Sequence, residues 1–539
     1  MEHPTDTRTA ACSNHAGLTI LYSKTMILKI EQKTKDSAVN LALNTIEIGK
    51  QALVFVNTKR SAEKVAEDIS KFLKNKVSTN QDLSNEILHD LSKPTRQCER
   101  LAEMVKQGIA FHHAGLTSKQ KELVQDNFRS GNVKIICCTP TLAAGVDLPA
   151  YRTIIRDLKR FGVRGYTYIP VLEYLQMSGR AGRPRYDKEG QSIVVTESEN
   201  EREHVIEEYV KGEPEAITSK LAVEPVLRTY VLSLIASNFV NSREKLIDFF
   251  SKTFWAHQYE DMSKVEKLID KTLHLLEGFE FIKMKKSEFV SASELIDSKI
   301  FATELGTKVS QLYIDPLTAH RFIEIIKEKK ATVFGLLQLI SNTLEIRPRL
   351  SVKSREHEEY TSIIVEKEEE LLIKEPDQFE PDYDDFVDSI KTASFFNDWI
   401  DEKDEEYILE RYDARPGETR AKIDIADWLL YSIDELSKLI HKNEFSKETS
   451  KLRMRINYGA KEELLPLLRL RDIGRVRARK LFSNNIKDLG DVKKADVMKL
   501  RQLLGDAVAK SIKEQVGEKT NIEIKETKRK GQMSLKKYE

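Results

Sequence analysis

The sequence predicts an α/β domain on a parallel sheet, followed by helix-rich modules. Three observations carry this. Short apolar runs alternate with longer amphipathic segments between residues 35 and 196, which suits buried parallel strands joined by helices. Beyond about residue 200 the apolar runs give way to helical periods. Polar segments follow the apolar runs, at the edge where open α/β sheets bind ligands.

The elements follow in order. Residues 1–34 show no clear period, although Leu18 to Leu28 is a mostly apolar patch, and a ragged, unassigned leader is expected. Ala52 to Val56 reads as a buried strand and Thr58 to Lys74 as a helix capped by Thr58 or Ser61. Ile109 to His113 is a second strand, and Ser118 to Ser130 a helix stopped at Gly131. Lys134 to Cys138, Arg152 to Leu158 and Ser192 to Thr196 are further strands. Residues 202–282 are mostly helical and close on Gly278 and short strands, the shape of a winged-helix module. Residues 311–350 and 383–445 are helix-rich, and the acidic stretch Glu366 to Asp385, with Pro376 and Pro381, is a solvated connection. The last 85 residues give a small basic helical unit and then a tail from Lys525 to Glu539.

Composition excludes some classes. At 539 residues, three to five domains are expected. A net charge of +1 means that a nucleic-acid footprint must come from local patches. Cys12, Cys98, Cys137 and Cys138 form no C-x-x-C pair and have no histidine at zinc spacing, so no metal site is expected. Cys137 and Cys138 read as buried strand thiols in a reducing, intracellular compartment. No apolar run reaches membrane-spanning length and no signal peptide is present; no membrane role and a cytoplasmic, nucleoid-associated location are expected.

The chemistry concentrates in a few segments. Gln176-Met177-Ser178-Gly179-Arg180-Ala181-Gly182-Arg183 places two arginines three residues apart among small residues, where a helix is expected to begin. Such planar, permanently charged forks match phosphate oxygens, as in an arginine finger. No G-x-x-x-x-G-K-[ST] phosphate loop occurs in the sequence, and no D-E-x-[DH] run precedes the arginine motif. Phe55-Val56-Asn57-Thr58-Lys59-Arg60 is either a ligand edge or an ordinary capping turn. His112-His113-Ala114-Gly115-Leu116-Thr117 is a second strand end. Its adjacent histidines point to opposite faces, while Gly115 and Thr117 offer donors to a nucleic-acid phosphate. In the run Thr139 to Pro149, Thr139 and Thr141 can donate to phosphates and Asp147 can accept from a ribose hydroxyl; a helix cap plus a loop is the plainer reading.

Together these segments resemble the second RecA-like domain of superfamily-two helicases. Phe-Val-Asn-Thr-Lys-Arg is similar to motif IV, His-His-Ala-Gly-Leu to motif IVa, Thr139 to Pro149 to motif V and Gln176 to Arg183 to motif VI. Arg152 to Tyr168 resembles the strand-separating β-hairpin, with its tip near Phe161 to Gly165, or else a plain sheet extension. Ala302-Thr303-Glu304-Leu305-Gly306 and Leu312 to Pro316 resemble the winged-helix-to-bundle junction of Ski-two-like helicases. Pro416-Gly417-Glu418 with Ala426-Asp427-Trp428-Leu429-Leu430 resembles the ratchet helix of the archaeal fork-repair helicase, a relative of the polymerase-theta helicase.

The resemblance implies a RecA-like domain (35–205), a winged-helix domain (206–305), a helical ratchet bundle (306–455), a helix-hairpin-helix domain (456–520) and a basic tail (521–539). It implies that Arg180 and Arg183 contact the γ-phosphate, that Gln176 orders the attacking water, and that Asp147 and Gly145 touch the nucleotide. Arg60, Gly115, Thr117, Thr139 and Thr141 hold the DNA backbone. Trp428 stacks on a base, unless it is a core tryptophan; Arg420 supports it, although the family position falls on Ala421. Leu470 to Leu481 resembles a helix-hairpin-helix in which Arg475, Arg477, Arg479 and Lys480 hold a DNA backbone. Basic residues outnumber acidic ones six to one from Arg469 to Lys480, which disfavours a merely solvated face. Gln532, Leu535 and Tyr538 are similar to a sliding-clamp (PCNA) binding peptide, with Glu539 in place of its second aromatic; a basic disordered tail is the other reading.

Two functions follow. In the first, the chain is the carboxyl-terminal portion of an ATP-dependent 3′-to-5′ helicase acting on single-stranded or forked DNA in replication-linked repair. It is then a gene fragment or a split subunit, and needs ATP and Mg2+ only together with a first RecA-like domain, carried by a separate chain. In the second, it is a stand-alone fork or single-strand DNA-binding protein.

Overall fold

The computed structural model describes residues 9–14, 17–21, 27–73, 80–91, 93–162, 165–183, 187, 189–221, 223–259, 262–285 and 299–518. The chain divides into two compact units, one of residues 1–218 with 405–421 and one of residues 219–404 with 422–539.

The first unit is built on an eight-stranded sheet. Its strands are β1 (Thr9–Asn14), β2 (Gly17–Leu21), β3 (Ile27–Ile30), β4 (Ala52–Phe55), β5 (Ile109–His112), β6 (Ile135–Cys138), β7 (Arg152–Ile155) and, beyond the separate hairpin β8 (Lys159–Gly162)–β9 (Gly165–Tyr168), β10 (Gln191–Thr196). The order is β3-β2-β1-β10-β7-β4-β6-β5. From β1 to β5 every neighbour is parallel, as the apolar alternation predicts. β4, β5, β6 and β7 are buried at every position, which is why they read as continuous apolar runs. The thiols of Cys137 and Cys138 lie inside this core, and burial pushes both pKa values up.

The helices of this unit are α1 (Ser37–Glu47), α2 (Lys59–Lys71), α3 (Gln81–Leu88), α4 (Arg96–Val105), α5 (Ser118–Arg129), α6 (Thr141–Gly145), α7 (Val171–Ser178) and α8 (Glu199–Val205). Thr58 caps α2 through Ser61 N, and Thr117 caps α5 in a reciprocal box with Gln120.

Three expectations are corrected. The leader is not structureless: β1 pairs in parallel with β10, from Thr9↔Ile193 to Cys12↔Thr196, and β2 and β3 extend that edge antiparallel. This pairs backbone groups that β10 would otherwise expose. Arg152 to Tyr168 is not one hairpin. Arg152–Ile155 is a central strand, and only Lys159–Tyr168 forms the ribbon. Arg152 is itself buried and donates to Gln191, Leu41 O, Asn44 and Thr45, a satisfied core arginine that a strand pattern hides. The arginine motif lies at the end of α7, not at the start of a helix. Gly179 is its C-cap, and Gly182 has φ +90°, a left-handed turn that glycine suits.

In the second unit α9 (Glu224–Ala236), α10 (Arg243–Ser251), α11 (Phe254–Tyr259) and α12 (Met262–Gly278) precede a two-stranded antiparallel sheet, β11 (Ile282–Lys285) and β12 (Lys299–Ala302), as the winged-helix reading predicts. The bundle follows with α13 (Glu304–Leu312), α14 (Pro316–Glu328), α15 (Val333–Ser341), α16 (His357–Lys367) and α17 (Tyr383–Ile400). A buried bidentate pair, Arg228 with Asp315, joins α9 to the cap of α14 at 2.5 Å for each bond. The chain then visits the first unit with α18 (Glu405–Tyr412), continues as α19 (Pro416–Leu439) and returns through α20 (Asn443–Tyr458). On α19, Ile423, Ala426, Leu430 and Ile433 recur at helical spacing and are buried. The terminal unit contains α21 (Leu465–Leu468), α22 (Arg475–Ser483), α23 (Leu489–Lys494), α24 (Val497–Leu504) and α25 (Asp506–Gln515) around its own apolar cluster. Gln532, Leu535 and Tyr538 lie outside the described residues.

Candidate nucleic-acid interface

The carboxyl ends of β4 and β6 and the start of α7 open onto one groove of about 820 Å³ in the first unit. Asn57, Thr58, Lys59 and Arg60 line it from β4, and Thr139, Pro140 and Thr141 from β6. Arg160, Glu173 and Gln176 face it from the hairpin and α7, and Asp413 and Arg415 from the turn before α19. The sheet makes this convergence: parallel neighbours present their carboxyl ends on one edge.

Local bonds fix the lining. Asn57 N donates to Asp157 Oδ2 at 3.1 Å, and its side chain donates to Lys159 O at 3.0 Å, so Asn57 ties the strand end to the hairpin base. Burial raises the Asp157 carboxyl pKa despite that bond. The Thr139 and Thr141 hydroxyls meet at 3.0 Å on the groove edge; one donates to the other, which leaves one O–H for an outside acceptor until the pair parts. Arg60 is 74% exposed in its side chain. Four cations (Lys59, Arg60, Arg160, Arg415) face three carboxylates (Asp157, Glu173, Asp413) across the groove.

Two of the predicted strand contacts are engaged within the unit. Gly115 N donates to His113 Nδ1, and its carbonyl accepts from Gln97 and Gly417, so its backbone is fully engaged within the unit. The Thr117 hydroxyl donates to Asp90 while capping α5. Both positions organise the loop after β5 instead of facing the groove. The adjacent histidines do part as predicted: His112 meets Gln125, and His113 meets Glu63 at 3.2 Å.

Composition did not reveal the buried cluster beneath the groove. Glu63 receives His113, Arg415 Nε at 3.1 Å and Arg100 Nη1. Burial alone would raise the Glu63 carboxyl, but the His113 bond and the Arg415 and Arg100 charges hold it at about 2. Burial lowers His113 in spite of Glu63, and burial, with Lys121 nearby, takes His112 to about 4.

The motif-VI arginines are held elsewhere in the unit. Arg180 Nε donates to Ala143 O at 3.1 Å and Nη1 to Asp147 Oδ1 at 3.0 Å. Arg183 donates to Asp187 at 2.7 Å and to Gln51 at 2.6 Å, and Lys50 also reaches Asp187 at 2.8 Å. Burial would raise Asp187, but Arg183 and Lys50 lower it. The Gly182 N–H donates to Ala150 O at 2.6 Å, which pins the loop to β7. Asp147 is 92% exposed in its side chain, and Gly145 ends α6 beside open space. Both guanidinium forks therefore hold carboxylates, oxyanions they bind much as they bind phosphate. Gln176 does not share their surroundings; it faces the groove. Among the described residues no group of three or more His, Cys, Asp or Glu is arranged to hold a metal ion, so no magnesium site is assigned.

In the second unit Trp428 lies half-buried on α19 and donates its indole N–H to Leu312 O at 2.9 Å. Arg420 is exposed on the same helix. The basic face of α22 is largely used inside the unit. Arg479 is held by Glu402 and by Glu463 at 2.6 Å, and Arg475 lies 4.5 Å from the centroid of the Trp399 ring and donates to Lys403 O. Both are held within the unit by carboxylates, an aromatic face and a backbone carbonyl. Arg477 donates to Asp472 O at 2.7 Å and Lys480 to Leu503 O at 3.2 Å, both in exposed positions.

Comparison with known proteins decides the family. The family model for the helicase conserved C-terminal domain matches residues 90–185, the helix-turn-helix domain residues 190–283, and the archaeal helicase, domain 4, residues 334–459. A protein of Methanocella arvoryzae named ATP-dependent DNA helicase Hel308 is 37% identical over 537 residues, covering 96% of this chain and 70% of that one. The chain belongs to the Hel308 family. Hel308 proteins of Methanococcus vannielii and Pyrococcus abyssi are each 36% identical, with 68% and 67% of their lengths covered. In this chain, the C-terminal-domain match spans α4 to α7 and most of the groove lining, the helix-turn-helix match spans α9 to α12, and the domain 4 match contains Trp428. Among the described residues no helix is long and apolar enough to cross a membrane.

Proposed function

We propose that this chain carries the strand-binding and output parts of an ATP-dependent DNA helicase, the activity named for its relatives. The observation that carries this reading is the groove at the strand ends, where Arg60 converges with Thr139 and Thr141, the two threonines lying within the helicase C-terminal match. Lys59 and Arg60 supply charge for a phosphate backbone, and the two threonine hydroxyls supply neutral donors.

Arg180 and Arg183 are arginine fingers for a γ-phosphate, with Asp147 and Gly145 on the nucleotide. They need a phosphate loop and a magnesium-binding acid pair from outside these residues, since no phosphate loop occurs in the 539 and no D-E-x-[DH] run precedes them. Positioning and electrostatics supply nearly all of this catalysis, so these residues alone hydrolyse ATP at a negligible rate. Gln176 acts at the groove edge, between strand and nucleotide. The hairpin Lys159–Tyr168 carries exposed Phe161 and Tyr166 packed edge-to-face at 5.4 Å, a rigid apolar wedge suited to parting a duplex. Trp428 offers a ring for base stacking, and the unit 456–520 serves as a helix-hairpin-helix in which Arg477 and Lys480 face DNA. Movement is 3′ to 5′, with preference for forks; both follow from the family resemblance.

The test is strand affinity of groove variants. Arg60→Ala with Thr139→Ala and Thr141→Ala should weaken binding of a labelled oligothymidylate by about tenfold or more, from the loss of one charged and two neutral contacts. Unchanged affinity would remove the groove as the strand site.

A further inference from the structure

Two cations on the groove rim already have partners. Arg60 Nη2 donates to Asp413 Oδ2 at 2.7 Å, and Lys59 Nζ donates to Glu418. Both carboxylates come from one short stretch, the turn into α19.

That stretch is clamped from beneath. Arg415 Nε donates to the buried Glu63, and Gly417 N donates to Gly115 O at 3.1 Å. The approach is too close for side chains: a Cβ on Gly115 would sit 2.3 Å from Arg415 Cδ, and one on Gly417 would sit 2.1 Å from Leu116 O. Arg415 N also donates to Glu418 Oε2 at 3.2 Å, which orients that carboxylate. The two layers differ in exposure. The Arg415 and Glu63 side chains are 9% and 6% exposed, whereas Arg60 and Asp413 are 74% and 46% exposed. A buried pair is costly to break, while an exposed pair is weak and exchanges readily.

We propose that Asp413 and Glu418 are built-in competitors of backbone phosphate for Arg60 and Lys59, held in place by Arg415 as a positioning residue. The proposal rests on the groove being the strand site. A strand entering the groove exchanges two carboxylates for two phosphates on the same cations, because guanidinium binds both oxyanions in the same way. A single small anion replaces one carboxylate and leaves the other in place. A polyanion replaces both, so the groove favours a continuous strand over free anions.

The experiment measures oligothymidylate affinity of the full chain by fluorescence anisotropy at fixed salt. Asp413→Asn with Glu418→Gln should bind about threefold to tenfold more tightly than wild type, the scale of one exposed and one half-buried ion pair. Lys59→Ala with Arg60→Ala should bind more weakly, and adding the two carboxylate changes to that background should then have no effect. Asp126→Asn removes an exposed carboxylate on α5, 2.8 Å from Arg129, and should not tighten binding comparably. Tightening that persists without Lys59 and Arg60 would show a general charge effect and overturn the proposal, as would wild-type affinity in the carboxylate variant. Wild-type affinity in Lys59→Ala with Arg60→Ala would instead overturn the groove reading itself. Arg415→Ala should mimic the carboxylate variant, and Arg415→Lys should restore part of the wild-type behaviour. Should Arg415→Ala fail to fold, the four-variant comparison still decides.

Discussion

Glu63 is the residue on which the first unit's polar interior turns. It neutralises Arg415 and Arg100 and takes the His113 ring at one buried point. Glu63→Gln leaves the buried Arg415 short of its close anion, while Arg100 keeps Glu67, and should cost about 3–5 kcal/mol, seen as a lower urea midpoint. The pH dependence follows from signs. The Glu63 carboxyl is held at about 2, below its ordinary 4.5, so its contribution is present above pH 4.5 and lost as pH falls toward 2. His112 is held at about 4 against an ordinary 6.5, so the unfolded chain takes up its proton first and stability falls as pH drops from 6.5 toward 4. Urea titrations across this range should show both losses, and His112→Gln should remove the upper one. None of this cluster was legible beforehand. His112 and His113 announced opposite faces through strand geometry, but the partners that decide their chemistry are distant in sequence. Glu63 sits in an ordinary amphipathic helix, and Arg415 precedes a Pro-Gly pair that reads only as a helix start.

Elements show where local sequence suffices. The fully buried strands β4 to β7 read correctly because parallel strands have no solvent face and so no alternation to misplace. The end of α7 did not: Gly179 and Gly182 suggested a helix start, yet they stop the helix and turn its arginines toward Ala143, Asp147 and Asp187. Thr117 illustrates a second limit. A threonine before a helix caps it or binds a ligand, and the Asp90 and Gln120 bonds select capping. Thr117→Ala should therefore cost about 1 kcal/mol of stability and leave strand affinity unchanged. A large fall in affinity at unchanged stability would restore the strand role to Thr117. In the hairpin, Phe161→Ala should impair duplex separation in a reconstituted helicase while single-strand affinity stays within about twofold, because the edge-to-face pair with Tyr166 contributes about 0.5–1.5 kcal/mol to the ribbon's rigidity.

At the scale of the molecule, the parallel-sheet unit carries the helicase C-terminal match, and the helix-turn-helix and domain 4 matches extend into the helix-rich remainder. The leader departed from expectation, because its strands are defined by a distant edge, β10, that no local period reveals. The terminal unit departed in a different way. Its basic run was legible, but the partners of Arg475 and Arg479, which are Trp399, Glu402 and Glu463, were not. The most direct measurement is ATP hydrolysis by the purified chain, with and without single-stranded DNA, alongside fork binding at two salt concentrations. Salt-sensitive fork binding without hydrolysis is the predicted result, since phosphate contacts release counterions and the phosphate loop lies outside these residues. DNA-stimulated hydrolysis by this chain alone would contradict it.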